Sequence, residues 1–174
     1  MAGCGRQARH GPVGGDLIGP HPTDRGKNGT KKSLLVERQG GPLAAVIAGA
    51  NVHDAKLLEA TIEATVVERP APSDARPQHL CLDKGYDNPT GRRAAAEHGY
   101  VPHIRRIGEA RPDAHPRQRH PARRWVVERT LAWLSTCRAI LVRYDKHARN
   151  DLALLKLACA LLWYRRHWQL TVLR

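Results

Sequence analysis

Cys81-Leu82-Asp83-Lys84-Gly85-Tyr86-Asp87 is the stretch that decides the fold. A short apolar run, His79 to Leu82, ends in an acid, a base and a glycine. A buried strand that stops in this way delivers a carboxylate to its own end, where glycine lets the chain turn. A second acid lies 45 positions on, in Arg124-Trp125-Val126-Val127-Glu128-Arg129. In helical projection Val126, Val127, Thr130, Leu131 and Leu134 make one apolar stripe. Glu128 falls about 130° from its centre, with Arg124 and Ser135 within roughly 40° of Glu128. Such a helix buries one side and shows Arg124 and Glu128 together on another. Taken singly, each acid has an ordinary reading: Asp83 as the start of a turn, and Glu128 as the i, i+4 partner of Arg124, worth a few tenths of a kcal/mol. Against that, carboxylates at the ends of buried strands in α/β sheets are frequent site residues. Asp87 reads as a turn or capping residue.

Outward from this stretch the chain alternates strand and helix. Ser33 to Glu37 and Leu43 to Ala48 read as strands joined at Gln39-Gly40-Gly41-Pro42, where paired glycines suit a tight hairpin. The second of these is apolar throughout, as a strand buried on both faces should be. Asp54 is the expected N-cap of a helix whose stripe is Leu57, Leu58, Thr61, Ile62 and Thr65. Arg69 to Pro77, with three prolines, is a linker. Asn88-Pro89 opens a short helix to His98, Gly99 closes it, and Tyr100 to Ile104 is another strand. Residues 105–121 have no periodicity and carry five arginines and two histidines against two acids. Two helices follow, over about 122–135 and 149–167. The order predicts an α/β fold, with helices packed on a mixed sheet. Residues 1–29 are rich in glycine and proline, without apolar period, and read as loop. Gly26-Lys27 is not a phosphate loop, because His21 stands where that motif needs a glycine.

The totals narrow the function. One hundred and seventy-four residues suit one domain, and 29 Lys+Arg against 16 Asp+Glu leave a net charge of +13. So basic a chain suits a polyanionic partner, nucleic acid above all, with a merely solvated basic surface or a ribosome-associated protein as the alternative. Aromatics are few and Phe is absent, which makes stacking on unpaired bases a poor primary mode of binding. The four cysteines are scattered and no histidine falls in a ligand pattern with them, which favours reduced thiols in a cytosolic chain. There is no apolar signal-peptide core. The longest apolar run, Leu152 to Tyr164, is interrupted by Lys156 and too short to span a bilayer.

Together these pieces resemble the catalytic domain of bacterial insertion-sequence transposases of the DDE class, which has a ribonuclease H-like fold. Asp83-Lys84-Gly85-Tyr86 is similar to that family's second acidic motif. Arg124 and Glu128, set four apart, resemble the Arg and Glu of its Tyr-Arg-Glu-Lys signature. The His53-Asp54 turn, Arg143-Tyr144-Asp145-Lys146 and Ala158-Cys159-Ala160-Leu161-Leu162-Trp163 are also similar to it, and the likeness runs in order from Pro20 to Arg166. The signature's Tyr would fall near Pro121 and its Lys at Ser135, so neither is present. The family's first catalytic Asp lies on a strand upstream of the segment matching Gly14 to Lys27. Here residues 1–15 hold no acid, and Asp16 falls in the loop-like stretch.

The resemblance implies a mixed sheet flanked by helices, with its first strand missing. It divides the chain into a disordered or remnant segment at 1–22, a catalytic domain at 23–168 and a tail at 169–174. It implies DNA transposition: metal-dependent phosphodiester cleavage and strand transfer at element ends, by two Mg²⁺ ions (Mn²⁺ as a substitute) about 3.5–4 Å apart. Asp83 would bridge both ions, Glu128 would complete one shell, and Arg124 would steady the scissile phosphate. Lys27, Lys31, Lys32, Lys84, Arg105, Arg106, Arg117, Arg119 and Arg123 are the candidate phosphate contacts. The implied partners are double-stranded DNA, as element ends and target, and a second protomer in a homodimer; no membrane is implied, and the place is the cytoplasm, on the nucleoid. Without the first Asp the chain is expected to be a partial copy lacking the full acid set. The competing readings are a non-catalytic basic module that binds DNA or RNA, and a nuclease on the same fold.

Overall fold

A computed structural model describes residues 2–104 and 124–172, with backbone alone for Arg124 and residues 169–172. The strands are β1 (Ala2–His10), β2 (Gly19–Pro20), β3 (Asn28–Val36), β4 (Pro42–Gly49), β5 (Gln78–Leu82) and β6 (Tyr100–Ile104). The helices are α1 (Ala55–Glu63), α2 (Pro89–Glu97), α3 (Arg124–Ser135) and α4 (Ala148–Val172). The main path of the sheet is β4-β3-β1-β5-β6, with the two-residue β2 beside the start of β3. β4, β3 and β1 pair antiparallel, while β1, β5 and β6 pair parallel. The α/β mixed sheet flanked by helices is therefore the observed architecture.

Side-chain alternation along β3 divides the core between the two faces. Leu35 faces Leu58, Ile62, Ala94 and Ala95 of α1 and α2, with Tyr86 and Leu80. Leu34 and Val36 face Val126, Val127, Leu131 and Leu134 of α3 and Leu155 of α4. The expected hairpin is present, with Gly40 at φ +91°. Beside it, a Cβ on Gly41 would stand 2.3 Å from the indole of Trp163, whose Nε1 donates to the Pro42 carbonyl at 2.8 Å. Asn88 caps α2 through Gly91 N–H at 2.9 Å, with Pro89 in the first turn and Gly99 at φ +70° beyond its end.

Four expectations are corrected. Residues 2–10 are not loop: β1 is a central strand, so the sheet does not lack a strand in that place, and β1 and β2 both lie in the segment expected to be disordered. Ala2–His10 has no β-branched residue and two glycines, a composition that predicts nothing about strands. Its neighbours hold it, β3 along one edge and β5 on the other. β3 begins at Asn28 rather than Ser33, and α4 reaches Val172, past the expected start of a tail. Finally, Asp54 precedes α1 with a helical backbone and no capping hydrogen bond. Its oxygens instead accept from Arg6 Nη1 at 2.7 Å and Lys31 Nζ at 2.8 Å.

Candidate active-site cleft

β5 and β1 part company where the site lies. Their parallel register is Ala2↔Leu80 and Gly3↔Cys81; β5 then stops at Leu82, while β1 runs on to His10. Asp83, in extended backbone, ends the strand and caps the turn Lys84–Tyr86, its Oδ1 accepting from Lys84 N–H at 2.7 Å. Tyr86 anchors that turn: its ring is fully buried, and its hydroxyl lies 3.9 Å from Cys4 Sγ. Burial pushes the Tyr86 phenol up, and pushes the Cys4 thiol up to about 11. Burial therefore keeps Cys4 a protonated thiol near neutrality.

From the other side comes α3. Its stripe of Val126, Val127, Leu131 and Leu134 is buried, which leaves Glu128 exposed on the same helix. The result is a cleft of about 150 Å³. Asp83 and Glu128 line it together, with Gly5 and Arg6 of β1 along one wall and Val127 beneath. Arg6 is turned toward Asp54, which it shares with Lys31.

The other predicted site residues divide into three groups. Lys31 and Lys32 are corrected as phosphate contacts, because β3 buries both. Lys31 is tied to Asp54 and the Val52 carbonyl, and Lys32 is 2% exposed on the opposite face. Lys27 and Lys84 are exposed, Lys27 lying 3.5 Å from Asp24. Arg105, Arg106, Arg117, Arg119 and Arg123 lie outside the described residues, as does the side chain of Arg124 at the start of α3. What the sequence reading missed is the β1 wall. The only hint of it was the spacing of Gly3 and Gly5 on alternate positions.

Among the described residues, the two carboxylates of the cleft do not by themselves complete the shells of a pair of Mg²⁺ or Mn²⁺ ions. Each such ion takes an oxygen-rich shell, and β1 (Ala2–His10) has no acid to add. Among the described residues the cluster of three close metal-ligating side chains is Glu59, Glu63 and His98, on α1 and after α2 rather than in the cleft. Among the described residues no helix is long and apolar enough to cross a membrane.

Residues 6–163 match the family model described as a transposase DDE domain. The chain is also 37% identical over 150 residues to a putative transposase for insertion sequence element IS402 from Burkholderia cepacia. That match covers 83% of this chain and 67% of the relative.

Proposed function

The chain belongs to the transposase DDE domain family, and on that premise we propose that it is a ribonuclease H-like domain that holds double-stranded DNA and cleaves it weakly or not at all. The observation that carries this is the cleft itself. Asp83 and Glu128 share it, exposed Lys84 stands beside it, and the strand forming its wall brings no acid. Its DNA would be the element ends and target of an insertion sequence, held by paired copies of the chain. A full centre of this kind would take Mg²⁺ or Mn²⁺ and join strands after cutting; the two acids here are candidate ligands, and among the described residues no third acid lines the cleft. The lack of an acid on β1 equally favours a non-catalytic DNA- or RNA-binding module.

DNA holding is tested by fluorescence anisotropy on a labelled duplex across a salt series. The logarithm of affinity should fall linearly with the logarithm of salt, at about −0.9 per phosphate neutralised. Salt-insensitive binding, or none, would sink the DNA reading, and tighter binding to single-stranded RNA would favour the module. Supercoiled plasmid incubated with Mg²⁺ or Mn²⁺ should stay intact. Metal-dependent nicking that disappears in Asp83→Ala would overturn the claim of weak cleavage.

A further inference from the structure

Asp54 is one acid shared by two cations, Arg6 and Lys31, and the charge left over lies at the cleft. We infer that Arg6 is a phosphate-binding residue of the Asp83–Glu128 cleft, that Asp54 positions it, and that Lys31 leaves it a positive charge to bind with. The inference rests on the DNA-holding reading of the cleft and goes beyond it by naming the residue that makes the contact.

Geometry comes first. β1 pairs with β5 at Ala2 and Gly3, and β5 stops at Leu82. Beyond that point the edge of β1 has no strand beside it, and Arg6 stands there on the cleft wall. Its Nη1 lies 2.7 Å from Asp54 Oδ2. On its other side is the turn that Asp83 begins: a Cβ on Gly85 would stand 3.3 Å from Nη1 and 3.7 Å from Nη2. The guanidinium is thus held between an acid and a bare stretch of backbone. It carries five N–H donors in a fixed fork, of which one carboxylate oxygen uses only part. The same fork matches two oxygens of a phosphate.

Charge decides what the fork is for. Lys31 Nζ already lies 2.8 Å from Asp54 Oδ1 and 2.7 Å from the Val52 carbonyl. A half-neutralised buried acid would need Arg6 as its partner, but Lys31 alone balances Asp54. Two cations on one acid leave a single positive charge. Of their side chains Arg6 is 32% exposed and Lys31 11%, so the surplus reaches solvent through Arg6. Asp83 and Glu128 would by themselves repel a phosphodiester. Lys84 beside the cleft offsets one of them and the surplus on Arg6 offsets the other, which lets the DNA backbone approach. Lys31 touches no phosphate and acts through Asp54.

The experiment measures binding of a labelled duplex by fluorescence anisotropy, in EDTA, across a salt series. The proteins are the parent, Arg6→Gln, Arg6→Lys, Lys31→Met and Arg93→Gln, the last an exposed arginine of α2 paired with Glu97. Arg6→Gln should lower the log–log slope by about 1. At about 0.1 M salt it should bind about tenfold more weakly, the loss shrinking as salt rises. Arg6→Lys, which keeps the charge without the fork, should hold the parent's slope and bind more weakly than the parent. Lys31→Met should weaken binding by less than Arg6→Gln does, and Arg93→Gln should change neither quantity. An unchanged slope in Arg6→Gln overturns the assignment even if affinity falls, because a residue that only supports the fold does not alter the number of phosphates neutralised. An equal change in Arg93→Gln overturns it too, by making the effect one of total charge. Should Arg6→Gln fail to fold, Arg6→Lys decides: weaker binding at the parent's slope upholds the contact, and binding equal to the parent's overturns it. Parent affinity in Lys31→Met overturns the role of Lys31. A parent that binds no duplex, or binds it without salt dependence, condemns the proposed function, whereas a salt-dependent parent matched by Arg6→Gln condemns this inference alone.

Discussion

At Gly5, β1 runs past an open cleft whose two carboxylates come from other elements; at Arg9, it carries a guanidinium into the interior. There Arg9 pairs with Asp151 in the first turn of α4, the two side chains only 4% and 2% exposed, and Arg9 Nη1 donates to the Ile140 carbonyl at 2.9 Å. Arg143, fully buried, approaches the same carboxylate at 3.7 Å. It also donates to Thr30 Oγ1 at 2.7 Å and to the Asp145 and Lys146 carbonyls. One end of the strand thus borders a cleft whose acids, Asp83 and Glu128, reach solvent. The other buries two arginines around a single acid. Charge in the second region is sealed inside the fold, and charge in the first lies at a cleft open to water.

The contrast is most exposed to failure at Asp151. Asp151→Ala would leave Arg9 and Arg143 buried without their common partner. Breaking a buried pair from one side costs about 3–5 kcal/mol, so denaturant unfolding at neutral pH should show a loss of that order. A loss below about 1 kcal/mol, the worth of an exposed pair, would mean that water reaches the cluster and the two regions do not differ in kind.

Lys32 sharpens the same comparison through pH. It lies on the buried face of β3 near Arg9, Asp151, Cys137 and Cys159, and desolvation lowers its pKa from 10.5 to about 8, with the Arg9 charge acting the same way. Between those values the unfolded chain binds the proton and the folded one does not, so this lysine makes stability rise with pH across that window. Below about 8 both states are protonated and the full penalty of burying the charge applies. A shift of this size corresponds to on the order of 3 kcal/mol. Lys32→Met should therefore stabilise the protein near neutrality by that order and abolish the rise. Burial raises the thiols of Cys4 and Cys159 from 9 to about 11, which lowers stability over an overlapping range. The measurement is accordingly the difference between parent and variant unfolding curves from pH 7 to 10. A difference that does not change with pH would place the Lys32 ammonium in contact with water.

How much of this was readable beforehand follows from the range of each interaction. The Asp83 turn, the Asn88 cap, the glycine hairpin and the stripe on α3 are local, and the sequence spells them out within a few residues. Local signals also put Glu128 on the open side of its helix. β1 is different, because Gly3 and Gly5 weaken it as a strand and matter only through what packs on them: Val127 lies 122 positions from Gly5. Lys31 and Lys32 look like surface charges until their surroundings are known. Those surroundings include Asp54, which binds Lys31, and Asp151, near Lys32, each brought in by a helix that follows later in the chain. The Arg9–Asp151 pair, 142 residues apart, had no local trace at all.

The smallest expected effect closes the comparison from the cleft side. Asp83 is half-buried, and within its turn it caps Lys84 N–H. Replacing a capping acid by alanine costs about 1 kcal/mol, and Tyr86, packed on the far side of the turn, keeps the chain in place without it. Asp83→Ala should therefore unfold within about 1 kcal/mol of the parent while Asp151→Ala falls by several times as much. If the two losses match, Asp83 is part of the scaffold, the cleft is held together by its acids, and the same substitution could no longer be used to separate binding from cleavage. If they differ as expected, any effect of Asp83→Ala on metal or DNA belongs to the cleft and not to the fold.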